Sequence, residues 1–157
     1  MFGELEAIAG RDLAARIQEL STASITDPLS GLFNRRYLDA SLEQQFEMFK
    51  RIGRHCGVLH VDVDDFKSIN DTLGHAAGDD AIRFVADVLS QSARKMDVVA
   101  RYGGDEFAII CAVSSLEELE TYGRRLVTMM HASRFAPADA AKRAGRDGLV
   151  VSGSAGA

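Results

Sequence analysis

The sequence predicts an α+β fold, in which helices gather on the faces of a mixed or mostly antiparallel sheet. Gly103-Gly104 separates two β-rich runs, 98–102 and 107–113, which indicates a tight two-residue hairpin whose glycines adopt positive φ. Residues 57–63 alternate with the period of a strand that buries one face. With 157 residues and 46% hydrophobic content, the chain is long enough to bury the core of one domain.

Helical and extended segments alternate along the chain. In chain order the predicted elements are helix 4–24, helix 34–51, strand 57–63, helix 66–73, helix 79–93, strands 98–102 and 107–113, helix 116–133, a polar connection over 136–148 and strand 149–154. The first helix ends at Asp27-Pro28, because proline and the residue before it disfavour a continuing helix. No internal repeat is present.

The N-terminal segment has two interpretations. Leu13, Ile17 and Leu20 lie at the spacing of a helix face, within a stretch rich in helix formers. The segment is either an amphipathic helix on its own domain or the stalk of an upstream regulatory module. We therefore predict a helix or stalk over residues 1–25 and the main domain over residues 26–157.

Composition excludes several classes of protein. The formal net charge of −5 and a pI near 5.3 argue against sequence-independent binding of a nucleic acid polymer. Cys56 and Cys111 have neither disulfide-framework nor metal-ligand spacing, so we expect two small core residues in a reducing compartment. No run is apolar enough for a membrane span, and no signal-peptide pattern begins the chain. These features predict a cytoplasmic segment without membrane contact.

Acidic residues gather where the strand 57–63 ends. Asp62, Asp64 and Asp65 precede a predicted helix whose first backbone amides have no intrahelical partner, and such amides attract phosphate oxygens. Lys67 adds a positive charge one step into that helix. Hard oxygen ligands favour Mg²⁺ or Mn²⁺, which usually keep substrate phosphates in their shell. The alternative is a set of solvated acids at a strand end, which is common in proteins.

The same chemistry extends to the hairpin if its strands lie beside strand 57–63. Asp62 then approaches Asp105 and Glu106, and two unit charges about 4 Å apart repel by roughly 4 kcal/mol at an effective dielectric near 20. Close carboxylates therefore favour a cation between them, and the two glycines let a phosphate approach the backbone. The residues predict metal-assisted phosphoryl or nucleotidyl transfer. The alternative leaves Asp105 and Glu106 as solvated acids beside a turn.

Three segments resemble the GGDEF family, the diguanylate cyclases. They read D-P-L-S-G-L-F-N-R-R from Asp27, D-V-D-D-F-K-S-I-N-D-T-L-G-H-A-A-G-D from Asp62, and R-Y-G-G-D-E-F from Arg101. The resemblance implies a nucleotidyl-cyclase-like fold, with a central five-stranded, mostly antiparallel sheet surrounded by helices and related to polymerase palm domains. It also implies that two GTP molecules are condensed into cyclic di-GMP and two pyrophosphates by a homodimer with Mg²⁺ or Mn²⁺.

The resemblance also implies roles for individual residues. Asp62 and Asp105 would be metal ligands, with the carbonyl of Val63 a third, and Glu106 would be a second metal ligand or the catalytic base. Which of Asp105 and Glu106 acts as the base stays open. The remaining implied contacts are to the β- and γ-phosphates from Lys67 and the amides of Asp65 and Phe66, and to guanine from Asn70 and Asp79. In isolation, Asp79 could instead be the N-cap of helix 79–93.

R-K-M-D, residues Arg94 to Asp97, matches the family's product-inhibition motif in sequence and in its offset from the hairpin. Arginine can stack on guanine and bind phosphate, and aspartate can pair with the guanine edge. The alternative is that basic residues ending helix 79–93 suit the helix dipole. Arg124 or Arg125 of the next helix is a further candidate for the same ligand.

The sequence departs from the family pattern at two places. Ser30 stands where threonine is usual, and the chain stops after V-V-S-G-S-A-G-A, before the helix that carries further phosphate ligands in the family. We therefore expect a C-terminally truncated domain, and we interpret the similar string at 137–147 as a chance likeness. The alternative function is a weak or inactive module that binds cyclic di-GMP or GTP as a sensor.

Overall fold

The computed structural model describes residues 25–53, 55–133, 135 and 153–156. The helices and strands of these residues are β1 (Phe33–Asn34), α1 (Arg35–Ile52), β2 (Cys56–Val63), α2 (Phe66–Leu73), α3 (His75–Ser92), β3 (Val98–Arg101), β4 (Glu106–Ala112), α4 (Leu116–Ala132) and β5 (Gly153–Gly156). The predicted helix 4–24 and the predicted connection 136–148 lie outside the described residues.

The strands of the described residues align in the order β1-β3-β4-β2-β5. The pairs β3–β4, β4–β2 and β2–β5 are antiparallel, whereas β1 runs parallel to β3. The predicted α+β class with a mixed, mostly antiparallel sheet is confirmed. The count of five strands stays a prediction, since β1 contributes only the two pairs that Phe33 and Asn34 make with Ala100 and Arg101.

Both faces of the sheet are covered. The larger cluster packs β2 and β4 against α3 and α4, with Leu59, Phe107, Ile82, Leu89 and Leu126 almost fully buried. A smaller cluster on the other face contains Leu38 of α1 together with Ala100, Ala108 and Ile110. Because β4 is buried on both faces, its sequence reads as a continuous apolar run instead of an alternating one.

The cysteines fit the predicted core role to different degrees. Cys111 is buried in the larger cluster and its thiol donates to the carbonyl of Gly57 at 3.7 Å. Burial raises the pKa of the Cys111 thiol to about 11. Cys56 is half-buried against the smaller cluster, and both cysteines are free thiols.

Two predicted boundaries are corrected. Helix α3 begins at His75 after an N-cap at Gly74, whose φ of 90° suits glycine. Asp79 therefore lies inside the helix, and the alternative that it is an N-cap is wrong. The sequence pattern missed these residues because Ala77 and Gly78 are buried but too small to mark an apolar face. Strand β5 covers Gly153–Gly156, two residues beyond the predicted end, while 149–152 lie outside the described residues.

Candidate metal and nucleotide site

The turn between β3 and β4 is longer than predicted. Strand β3 ends at Arg101 and β4 begins at Glu106, so residues 102–105 connect the strands instead of a two-residue Gly-Gly turn. The carbonyl of Glu106 accepts hydrogen bonds from the N–H groups of Tyr102 at 2.8 Å and Gly103 at 3.2 Å. Among the described residues, positive φ occurs at Asp65, Gly31, Gly53 and Gly74, so the predicted positive φ of the hairpin glycines is wrong.

Gly103 lies against the end of the Glu106 side chain. A Cβ placed on Gly103 would lie 2.8 Å from Oε2 of Glu106, closer than real Cβ contacts. The carboxylate of Glu106 therefore folds back over the glycine. At Gly104 a Cβ would meet nothing within 4 Å, and this residue is exposed.

Strand β2 brings Asp62 to the same place. Asp62 pairs with Glu106 in the β2–β4 register, and the N–H of Val63 donates to the carbonyl of Asp105 at 3.2 Å. Burial raises the pKa of Asp62, and the negative charges of Asp105 and Glu106 raise it further. The structure thus brings together the three predicted carboxylates, which we call the acidic site.

The acidic site offers a partial ligand shell for a divalent cation. Within the part of the chain that the structure describes, no three His, Cys, Asp or Glu side chains are placed to hold a metal ion by themselves. Mg²⁺ is usually bound through one or two carboxylates together with substrate phosphates and water. The mutual repulsion of the carboxylates and their oxygen chemistry fit such an ion, with a phosphorylated ligand completing the shell.

The N-terminus of α2 lies directly after the acidic site along the chain. Its N-cap residue Asp65 adopts the left-handed conformation, with φ 55° and ψ 22°, and its side chain does not cap the helix. Such a conformation costs a non-glycine residue on the order of 1 kcal/mol, and strain of this kind is often found at functional sites. Phe66 is half-buried and Lys67 is exposed, so the charged side chain is open to solvent.

The predicted guanine contacts lie where α2 meets α3. A Cβ on Gly78 would overlap the side-chain oxygen of Asn70, so the amide of Asn70 packs directly on the backbone of α3. Asp79 follows Gly78 in the helix and is exposed, while Asn70 is half-buried. The close packing of the two helices therefore places Asn70 beside the residue that precedes Asp79.

Arg101 is a residue of this region that the sequence did not single out. Its guanidinium donates to the carbonyls of Gly103 and Gly104 and to the carboxylate of Asp27. Asp27 and Arg101 are 74 positions apart, so no local pattern connects them. The sequence indicated a role for them only because Asp27 lies in the first motif and Arg101 in the third.

The R-x-x-D turn, residues 94–97, is closed by its own hydrogen bonds. The carboxylate of Asp97 accepts from the N–H of Arg94 and from the hydroxyl of Tyr122, each at 2.8 Å. The guanidinium of Arg94 forms an ion pair with Glu118 at 3.1 Å. Burial and the hydrogen bond to Asp97 both raise the pKa of Tyr122. Neither Tyr122 nor Glu118 was predicted, because both reach the turn from α4 through tertiary packing.

The two candidate arginines of α4 behave differently. The guanidinium of Arg125 lies 4.9 Å from the centre of the Tyr122 ring and donates to the carbonyl of Ser92 at 3.0 Å. Arg124 pairs with Glu120 instead, and its side chain is 80% exposed. Arg125 therefore lies on the same aromatic ring as Arg94, and Arg124 does not.

A cavity of about 320 Å³ adjoins the R-x-x-D turn. The residues that line it include Arg94, Asp97, Val99, Leu32 and Phe33. Helix α3 ends before this turn and has no basic residue in its last turn. The helix-dipole interpretation of the basic residues is therefore not supported.

Carboxylates at one end of a mixed sheet, next to a helix N-terminus that no side chain caps, are typical of domains that bind a cation together with a phosphorylated ligand. The sequence profile of the family "Diguanylate cyclase, GGDEF domain" matches residues 24–151. The chain belongs to this family.

Curated relatives match most of this chain. The probable diguanylate cyclase DgcC of Escherichia coli is 37% identical over 121 residues, which cover 77% of this chain and 33% of DgcC. The response regulator PleD of Caulobacter vibrioides is 35% identical over 133 residues, which cover 85% of this chain and 28% of PleD. The chain thus spans about a third or less of the length of these relatives.

Solved structures show the same fold. The coiled coil and GGDEF domain of DgcB from Caulobacter crescentus, in complex with c-di-GMP, has a TM-score of 0.83 and 26% identity, covering 96% of this chain and 77% of the solved DgcB chain. Diguanylate cyclase SiaD from Pseudomonas aeruginosa, in complex with its activator SiaC, has a TM-score of 0.76 and 29% identity, covering 98% of this chain and 56% of the solved SiaD chain. In the described part of this chain, no helix has the length and apolarity to cross a membrane.

Proposed function

We propose that this domain condenses two GTP molecules into cyclic di-GMP and two pyrophosphates, and that the product inhibits it through the R-x-x-D turn. The observation that carries the proposal is the acidic site, where Asp62 faces Glu106 across β2 and β4 and the backbone of Asp105 bonds Val63. We further propose the five-stranded, nucleotidyl-cyclase-like sheet that the family resemblance implies.

The acidic site would hold Mg²⁺ or Mn²⁺ through Asp62, Asp105 and the carbonyl of Val63, with Glu106 as a further ligand or as the base. A bound divalent cation supplies positive charge that offsets the charge of the phosphates in the transition state. The carboxylates of this chain would accept the proton of the 3′-hydroxyl. Glu106 and Asp105 both remain candidates for that base, and both adjoin the turn.

The N-terminus of α2 would hold the β- and γ-phosphates. The backbone N–H groups of Asp65 and Phe66 lie at the start of the helix, where the helix dipole favours negative charge. Lys67 is exposed and offers a mobile cation to the same phosphates. The strained backbone of Asp65 supports this role, because left-handed residues often shape anion-binding turns.

Guanine would bind at the contact of α2 and α3. The amide of Asn70 can donate to and accept from the base edge, and the carboxylate of Asp79 can accept from the ring N–H and the exocyclic amine. The side chain of Asn70 packs directly on Gly78, which keeps the amide beside Asp79. Discrimination against adenine follows, because the ring N1 of adenine is an acceptor and its C2 carries no amine.

Formation of cyclic di-GMP requires two domains. The 3′-oxygen of one GTP attacks the α-phosphorus of the other, the bond from that phosphorus to the bridging oxygen breaks, and pyrophosphate leaves. The hydroxyl proton passes to a carboxylate of the domain, and the reaction repeats in the opposite direction to close the ring. Since one domain offers one such GTP site, a homodimer would bring the two GTP molecules together. A cytoplasmic location remains a prediction.

The R-x-x-D turn would bind the product. Arg94 and Asp97 offer a cation and a guanine-pairing carboxylate, with the ring of Tyr122 and the guanidinium of Arg125 beside them. Because Glu118 already binds Arg94, the product would have to compete with it. The adjoining cavity supports this site, because it gives a ligand a place to enter.

A second candidate function is a sensor that binds cyclic di-GMP without catalysis. It is favoured by one observation: the R-x-x-D turn and its adjoining cavity are formed without a ligand. The alternative sensor that binds GTP would use Asn70 and Asp79.

One experiment separates these functions. The chain is incubated with GTP and Mg²⁺, and cyclic di-GMP and pyrophosphate are measured beside an Asp105→Ala variant. We expect product from the wild type and none from the variant, whereas equal turnover by both would refute the metal-ligand role. If neither forms product and the wild type binds cyclic di-GMP, loss of binding in Arg94→Ala would support the sensor.

A further inference from the structure

We propose that Arg101 and Asp27 are positioning residues that hold the turn before Asp105 and Glu106 in its catalytic orientation. The inference rests on the proposed cyclase function and adds two residues to it. Arg101 ends β3, and Asp27 begins the first sequence motif, near the start of the family match. Neither residue is among the carboxylates of the acidic site.

One end of this contact fixes the turn. The guanidinium Nε of Arg101 lies 3.2 Å from the carbonyl oxygen of Gly103 and 3.1 Å from that of Gly104, and Nη2 lies 2.7 Å from the latter. Two successive glycines have more accessible backbone conformations than any other pair of residues. A planar, pre-organised guanidinium is suited to restrain them, because its donors have a fixed geometry.

The other end fixes Arg101. Its Nη1 lies 3.1 Å from Oδ1 and 3.4 Å from Oδ2 of Asp27, and the two side chains are only 18% and 20% exposed. The carboxylate of Asp27 also accepts from the N–H of Ser30 at 2.8 Å and from its hydroxyl at 2.7 Å. Burial opposes ionisation of Asp27, but these hydrogen bonds outweigh it and lower the pKa of the carboxyl.

Asp27 is itself anchored to the sheet. Its N–H donates to the carbonyl of Leu32 at 2.8 Å, and Leu32 directly precedes β1. Strand β1 pairs with β3 through Phe33 and Asn34, and Asn34 lies opposite Arg101 in that register. The guanidinium is therefore held between two pieces of backbone that the sheet already fixes.

This arrangement controls where the carboxylates lie. Asp105 directly follows Gly104, and the Glu106 carboxylate rests over Gly103, so a shift of the glycine carbonyls moves both acids. A misplacement of about 1 Å can cost roughly 10²-fold in rate, even when the changed residue does not touch the substrate. We therefore expect the pair to control turnover more than GTP binding.

The test compares Arg101→Lys and Asp27→Asn with an Arg83→Gln control, which removes the exposed Arg83–Asp80 ion pair at 2.8 Å. We expect each test variant to lower kcat by roughly ten- to a hundredfold while KM for GTP changes less than about threefold. The amide NMR signals of Gly103 and Gly104 should shift in both. The control should keep the wild-type kcat and these signals.

The double variant Arg101→Lys/Asp27→Asn should lose no more activity than the worse single variant, because the two residues act through one contact. Wild-type kcat in either single variant, additive losses, or unmoved glycine signals would overturn the proposal. If Arg101→Lys does not fold, Ser30→Ala loosens Asp27 while leaving the pair intact, and a kcat drop of about threefold with the same NMR shifts is expected.

A failure of the proposed cyclase function would give a different result from a failure of the positioning role. A wild-type chain that makes no cyclic di-GMP refutes the cyclase assignment for this chain. The NMR measurement then decides the positioning role without GTP: shifted Gly103 and Gly104 amides in both variants support it, and unmoved amides refute it.

Discussion

The acidic site and the R-x-x-D turn lie in one domain but have opposite electrostatics. At the acidic site, Asp62 faces Asp105 and Glu106, and burial with these like charges raises its pKa. At the R-x-x-D turn, Asp97 has two hydrogen-bond donors and Arg94 has an acidic partner. The first region is stabilised by adding a cation, whereas the second is already neutralised and a ligand must displace a partner. Binding of a cation therefore lowers the charge repulsion at the acidic site, whereas binding of a ligand at the R-x-x-D turn has to break an existing contact.

The largest expected effect comes from removing one charge of the acidic site. Asp62→Asn should lower turnover by roughly 10²- to 10³-fold, because a metal ligand is lost. The same change should raise the midpoint of thermal unfolding without metal by about 2–4 °C, because it relieves like-charge repulsion. Kinetics and thermal unfolding without Mg²⁺ check the two outcomes. An unchanged or lower midpoint would contradict the conclusion that like-charge repulsion at the acidic site destabilises the fold, which is the difference between the two regions.

A second change tests the proposed guanine contact where α2 meets α3. Gly78→Ala should raise KM for GTP about tenfold, because the new Cβ forces the Asn70 amide out of its position. Stability should hold or rise, since alanine favours a helix interior over glycine by about 1 kcal/mol. Steady-state kinetics and denaturant unfolding measure both. The double variant Gly78→Ala/Asn70→Ala should have the same KM as Gly78→Ala alone. An additive increase in KM would mean that the two residues affect GTP binding independently.

A third comparison concerns the R-x-x-D turn and uses neighbouring residues of α4. Arg125→Gln should weaken inhibition by cyclic di-GMP about five- to tenfold, because Arg125 stacks on Tyr122 beside Arg94. Arg124→Gln is the matched control and should leave inhibition unchanged, since the guanidinium of Arg124 pairs with Glu120 and its side chain is 80% exposed. Inhibition curves with cyclic di-GMP for both variants show whether Arg125 contributes to product binding. Equal effects would remove Arg125 from the product site.

The smallest effect should come from the partner that occupies Arg94. Glu118→Gln should tighten inhibition by roughly threefold, because the product no longer competes with a full carboxylate for the guanidinium. The glutamine oxygen can still accept from Ser114, which donates to Glu118 from its N–H and its hydroxyl at 2.8 Å. Binding of cyclic di-GMP measured by calorimetry tests this. Weaker binding would mean that Glu118 orients Arg94 for the product instead of competing with it.

The sequence predicted the elements whose side chains repeat regularly. Periodicity and capping predict the start of α1 after its N-cap Asn34, the strand that ends near Asp62, and the α2 helix. Small residues hid the start of α3, where Ala77 and Gly78 are buried without an apolar pattern. The two-residue hairpin was wrong because the Glu106 carbonyl accepts two N–H groups and lengthens the turn.

The candidate site was predictable only in part. The motif residues of β2 and β4 could be named from the sequence, since strand neighbours bring consecutive motifs together. The partners Glu118 and Tyr122 could not, because they depend on how α4 packs beside the R-x-x-D turn. The pairing of Asp27 with Arg101 joins two residues 74 positions apart that no local pattern relates.

The register that places Asp62 opposite Glu106 also has a consequence for folding. The β2–β4 ladder runs from the pair Cys56 and Ala112 to the pair Asp62 and Glu106, and it encloses α2, α3 and β3. Such non-local pairings form slowly, because the closure entropy of the intervening chain opposes them. The acidic site therefore appears only with the central ladder, and an isolated peptide of residues 98–112 should have no preformed cation site.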